Sequence, residues 1–205
     1  MNVWKRILVI APHADDAEAN CGGLIHRAFR EGIDCRVLTL CEMRLGEAEE
    51  AKRAMEALGS RECPIARVNA EASPDLEFAD HRTEVRAAIR DTVTRFDPCV
   101  LVYPADGDYH EDHAVVREIA QTFIGEGKSG LAFRSVNRGA LPRPNFFVSL
   151  REEDVQAKVR ALGVYSIAEG RPWASPPAVY ATAQHCGIAI RASFAEVYIA
   201  ERIAV

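Results

Sequence analysis

The sequence lacks the marks of several protein classes. No apolar stretch approaches the ~20 residues that a membrane-spanning helix needs, and Met1–Ile10 is too short for a secretion signal. Six cysteines in 205 residues, at positions 21, 35, 41, 63, 99 and 186, show no C-x-x-C spacing and are too sparse for a disulfide scaffold. A reducing, cytoplasmic setting is therefore expected. Positive charge is also in deficit, with 25 Lys and Arg against 30 Asp and Glu. The resulting net charge of −5 argues against nucleic acid or an anionic membrane as the main partner. What remains is ordinary globular composition, 48% hydrophobic and 27% charged, on a chain of one-domain length. Length leaves the oligomeric state open, homo-oligomers included.

Periodicity along the chain points to the α/β class. Arg6–Pro12 and Cys35–Cys41 are short, nearly continuous apolar runs, the pattern of strands buried on both faces. Ile65–Val68 is a weaker run, and Cys99–Tyr103 another strong one. Between them Gly22–Glu31, Glu47–Leu58 and Arg82–Phe96 carry helical spacing, and a further helix is expected from about Asp112 to Ile124. Gly125–Pro144 reads as a long loop with basic residues, Asn145–Leu150 as a strand and Glu152–Leu162 as a helix. Arg171–Pro177, with three prolines and Trp173, reads as a loop or lid. Gly187–Ile203 reads as extended chain. The expected architecture is a single-domain, Rossmann-like three-layer αβα sandwich over residues 1–205 with a mostly parallel central sheet.

In open α/β sheets, ligands bind beyond the carboxyl ends of the strands. After Arg6–Pro12 a dinucleotide-binding protein places G-x-G-x-x-G and a P-loop places G-x-x-x-x-G-K. This chain instead places His13, Asp15, Asp16 and Glu18 there. Three carboxylates repel a pyrophosphate and attract a cation. One or more of them capping the next helix is the competing explanation. After Cys99–Tyr103 come Asp106, Asp108, Tyr109, His110, Asp112 and His113. The two histidines, three apart, share a helix face. If the two strands are neighbours where the strand order reverses, both clusters face one crevice. Two imidazoles and a carboxylate suit Zn²⁺ and equally Fe²⁺.

These residues resemble the zinc-dependent PIG-L/LmbE-like N-deacetylases, which remove acyl groups from amino sugars and related glycosides. Their first motif, (A)HPDDxE, resembles Pro12-His13-Ala14-Asp15-Asp16-Ala17-Glu18, with Gly22-Gly23 following; their second, HxDH, is matched by His110–His113. Weaker echoes include Lys158 and Phe194-Ala195-Glu196. Ala14 stands where the family usually has proline. The resemblance implies His13, Asp16 and His113 as metal ligands, Asp15 as general base on a metal-activated water, and His110 as acid or oxyanion stabiliser. It leaves Asp112 and Glu18 as supporting residues behind the ligands. Arg44, Asp108 and Tyr109 are candidates for substrate contact. The implied substrate is a small N-acylated sugar, glycoside or nucleotide sugar. A metal-dependent esterase or phosphatase, and a non-catalytic carbohydrate- or metal-binding protein, are the alternatives; the first finds no Gly-rich phosphate loop here, and the second has no use for a spare carboxylate at Asp15.

Overall fold

The computed structural model describes residues 4–41, 46–59, 77–125, 127–135, 143–166 and 169–204. The first strand, β1 (Arg6–His13), is buried along its whole length after Arg6 because it lies between β2 (Asp34–Cys41) and β3 (Val100–Pro104) with helices on both sides. That position accounts for its unbroken apolar run. Alternate side chains enter separate cores. Ile7, Val9 and Ala11 pack beneath α1 (Asp16–Arg30), α2 (Glu47–Ala57) and α5 (Glu152–Leu162). Leu8 and Ile10 pack beneath α3 (Arg82–Phe96) and α4 (Glu111–Gln121). This is the expected three-layer arrangement.

Six strands are hydrogen-bonded in the order β2-β1-β3-β4-β6-β5, completed by β4 (Ser129–Phe133), β5 (Phe146–Leu150) and β6 (Phe194–Arg202). The pairs β1–β2, β1–β3 and β3–β4 are parallel, whereas β6 runs antiparallel to both its neighbours. The chain leaves β1 toward β2 on one side and returns to β3 on the other. The order therefore reverses between β1 and β3, and a crevice opens where their carboxyl ends diverge.

The structure departs from the sequence expectation in four places. Helix α1 begins at Asp16, six residues ahead of Gly22, because its acidic first turn, Asp16 and Glu18, suits a helix N-terminus. Strand β4 lies within the span expected as the loop Gly125–Pro144; five fully buried residues are too short to show a period. Pro172–Ala174 is a short 3-10 helix, and Pro176–Ile188 is a helix, α6, which takes in the last two residues of the expected loop and the first two of the expected extended chain. Its two prolines occupy the first turn, where a missing N–H costs nothing. The extended C-terminal segment accordingly starts at Phe194, not Gly187. Ile65–Val68 lies outside the described residues.

The Gly22-Gly23 pair has a packing cause. A Cβ on Gly23 would overlap Leu150 Cδ1 and stand 3.0 Å from Glu196 Oε1, and one on Gly22 would stand 2.9 Å from Lys158 Cγ. The bare backbone lets Gly23 and Leu24 donate to the Glu196 carboxylate at 2.9 and 2.7 Å. Lys158 and the Tyr198 hydroxyl complete its shell at 2.8 and 2.9 Å.

Candidate metal centre

β1 delivers His13 to the crevice, and the chain then turns through Asp15 in the left-handed region, φ 82°, before α1 begins. Aspartate tolerates that conformation better than most residues. The two adjacent carboxylates differ in their bonding. Asp16 Oδ2 accepts from the His13 backbone N–H at 3.1 Å and is held inside the crevice. The Asp15 side chain makes no capping bond to α1, so the helix-cap explanation does not account for it.

From the β3 side, His110 caps α4, its Nδ1 accepting from the Asp112 N–H at 3.3 Å. In the neutral ring this leaves the proton on Nε2. The His110 ring lies 4.7 Å from that of His13 and 5.0 Å from that of His113, centroid to centroid. The expectation that β1 and β3 are neighbours with their clusters facing one crevice therefore describes the structure.

Three side chains converge on one point. Asp16 Oδ2 lies 3.4 Å from His13 Nδ1 and 3.1 Å from His113 Nε2. All three residues are buried, and their ligand-type atoms lie within 4.8 Å of one another. With zinc–nitrogen bonds of 2.0–2.1 Å, the edge of a tetrahedral site is about 3.3 Å. His113 Nε2 is buried and makes no hydrogen bond, despite the nearby carboxylate. A buried imidazole nitrogen that stands 3.1 Å from a carboxylate outside hydrogen-bonding geometry suits a cation shared between the two. The donor set fits a divalent metal.

The far nitrogen of each ligand-type imidazole is held by a carboxylate. His13 Nε2 meets Asp112 Oδ2 at 2.9 Å, and the other oxygen of Asp112 accepts the Phe78 N–H at 2.7 Å. His113 Nδ1 meets Asp108 Oδ2 at 2.7 Å. Asp108 also accepts the His110 N–H at 3.0 Å and the Ser135 hydroxyl, which lies just beyond β4. Carboxylates in these positions fix ring orientation and raise ligand basicity. Asp108, a candidate for substrate contact in the sequence, thus has its carboxylate committed to the ring behind the crevice, with its side chain 1% exposed. Tyr109 is 78% exposed and Asp106 is exposed as well. Arg44 lies outside the described residues.

Electrostatics follow from burial and crowding. Burial, with the charges of Asp16 and Glu18, pushes Asp15 up to about 8. Burial pushes Glu18 up to about 7, against a 2.7 Å hydrogen bond from the Tyr165 hydroxyl. Burial opposes charge on Asp16, yet the neighbouring His113 prevails and holds it well below the usual carboxylate range. Burial likewise opposes charge on His113, but Asp16 and Asp108 lift it to about 9. The crevice is an acid-rich pocket in want of positive charge.

Sequence reasoning did not find Ser135, Tyr165 or the role of Asp108. Ser135 follows the strand read as loop, and Tyr165 lies beyond α5 with no motif around it. The spacing Asp108–His113 contained a signal, since a carboxylate five residues ahead of a ligand histidine can return to its ring across a helix start.

The sequence profile of the GlcNAc-PI de-N-acetylase (PIG-L) family matches residues 8–124. The chain is 25% identical over 177 residues to the uncharacterized deacetylase YaiS of Escherichia coli K12, covering 78% of this chain and 90% of YaiS. It is 27% identical over 193 residues to the diacetylchitobiose deacetylase of Thermococcus kodakarensis, covering 78% of this chain and 69% of that protein. Among solved structures it superposes on GalB, the 4-carboxy-2-hydroxymuconate hydratase of Pseudomonas putida KT2440, with a TM-score of 0.76 at 17% identity, over 98% of each chain.

Proposed function

Because the chain belongs to the GlcNAc-PI de-N-acetylase (PIG-L) family, as the match over residues 8–124 shows, we propose that residues 1–205 form one metal-dependent N-deacetylase domain. Its substrate is an N-acylated, most simply N-acetylated, amino sugar or glycoside, nucleotide sugars included. A relative named for diacetylchitobiose supports that class. The observation that carries the reading is the pair of braced imidazoles around Asp16, His13 backed by Asp112 and His113 backed by Asp108.

His13, Asp16 and His113 hold the metal, zinc in the first instance and Fe²⁺ as the alternative. When bound, the metal acts as a Lewis acid, polarising the amide carbonyl and acidifying a water. Asp15 takes the proton of the attacking water and returns it to the leaving amine. Its carboxylate makes no capping bond to α1, which leaves it available for proton transfer. His110 donates its Nε2 proton to the oxygen on which charge develops. Glu18, held by Tyr165, supports the turn from beneath. A storage or binding protein has no use for Asp15, which weighs against the non-catalytic alternative.

Fold alone does not decide the reaction, since a hydratase shares it. The test is metal analysis followed by amine-release assays on N-acyl amino sugars, glycosides and nucleotide sugars. A metal-replete protein that releases amine from none of them refutes the reading. No described helix is long and apolar enough to cross a membrane. Cytoplasmic residence belongs to the proposal, on the ground of the scattered thiols.

A further inference from the structure

Behind the first turn of α1 lies a second built space. A cavity of about 80 Å³ opens among α1, α5, α6 and the sheet, walled by Leu150, Val155, Leu162, Val179, Ala183 and the indole of Trp173. Its size exceeds that needed for a water or two and admits a group of several heavy atoms. Asn20 forms part of the wall, and its amide donates to the Asp16 carbonyl at 2.8 Å. The cavity therefore abuts the metal-ligating turn without sharing its ligand atoms.

The charges in the wall do not balance. Lys158 is neutralised by Glu196 at 2.8 Å, and Glu196 is saturated by its two backbone donors and Tyr198. Arg134, which follows β4, has no carboxylate partner among the described residues. Its Nε is buried and makes no hydrogen bond. An N–H withdrawn from water and left unpaired is costly, the more so on a charged group. A guanidinium edge offers two parallel donors, which a carboxylate accepts in a fork. One unmatched positive charge answers a monoanion, and the surrounding apolar walls answer a short aliphatic stem.

We propose that this cavity binds a short-chain aliphatic carboxylate, its oxygens on the Arg134 guanidinium and its stem against Trp173, Val155 and Val179. The acid released by the hydrolysis described above belongs to this class. The site nonetheless rests on Arg134 and the cavity walls, and it stands whether or not that reaction is correct.

The test is calorimetric titration of the metal-loaded protein with sodium acetate, propionate and butyrate, and with inorganic phosphate. Saturable carboxylate binding is expected, weakened tenfold or more by Arg134→Met with metal content unchanged. Ala183→Leu, which fills the cavity from α6 and leaves Arg134 in place, has the same effect if the carboxylate lies inside. Absence of saturable binding to the wild type overturns the proposal. So does binding that neither substitution weakens, which places the carboxylate on the metal, and so does tighter binding of phosphate. Arg134-dependent binding in a protein that releases no amine removes the deacetylase reading and keeps the site. Amine release without such binding does the reverse.

Discussion

Two buried clusters of charge meet helix α1, one at its first residue, Asp16, and one at Gly23 and Leu24, and they are completed to different degrees. At Glu196 every partner is present: two backbone N–H groups, an ammonium and a phenol surround one carboxylate. At Asp16 the count falls short, with a bare His113 Nε2 beside a carboxylate and Asp15 pushed up by burial and by its acidic neighbours. A saturated network holds elements together, because nothing more can be added to it. An unsaturated one retains donor atoms that can bind a ligand. The comparison separates structural from functional ion clusters without reference to residue type.

The most severe test removes the spare carboxylate. Asp15→Asn is expected to keep its metal and lose roughly 10²–10⁴-fold in turnover, the usual contribution of a general base; amine release and metal content measured on one preparation check both halves. Full turnover there would erase the functional side of the contrast. Glu196→Ala probes the other side. It strands Lys158 and two helix N–H groups, and the loss expected in chemical denaturation is about 3–5 kcal/mol, as for a broken buried ion pair. If that variant, still folded, were to lose its metal selectively, the two clusters would not be separate.

Asp108→Ala sharpens the comparison by removing a brace while keeping all three ligands. Metal affinity is expected to fall about 10–100-fold, read by competition with a chelator, with the fold intact. Unchanged affinity would reassign Asp108 to the substrate side. The smallest effect belongs to Asp154, where α5 meets α1. Burial opposes its charge, yet bonds from Arg30 and the Arg151 N–H prevail and hold it below the ordinary range. A depressed folded-state value adds stability above the unfolded value of about 3.9, and that stability is lost as pH falls through the folded one. Wild type should therefore exceed Asp154→Asn in urea midpoint near pH 7, with the gap closing below about pH 4. A gap that persisted unchanged at pH 3 would remove the ionised carboxylate as its source.

Much of this was legible in the chain. The strands β1, β2 and β3 were readable because strands covered on both faces need continuous apolar runs. The two histidine clusters were readable because the ends of such strands meet at the reversal of strand order. β4 was not legible, since Ser129–Phe133 is short, entirely buried and interrupted by Gly130. With β4 hidden, Ser135 and its hold on Asp108 were hidden too. Helix α6 was masked by the prolines that open it. Gly22-Gly23, Lys158 and Glu196 were visible as separate echoes, and only packing showed them to be one contact.

Local covalent order determined which groups stand at the crevice: a histidine and two aspartates in one turn, and two histidines one helical turn apart in the other. Tertiary structure decided what each group does. Asp108 and Asp112 are both short acidic side chains near the start of α4, and nothing in their spacing says which imidazole each will brace. The folded sheet fixes that assignment by setting β1 beside β3 and carrying the chain after β4 under Asp108. It also decides that Asp16 sits between the two imidazoles while Asp15 makes no capping bond, because the chain turns through the left-handed region at Asp15 and α1 begins only at Asp16.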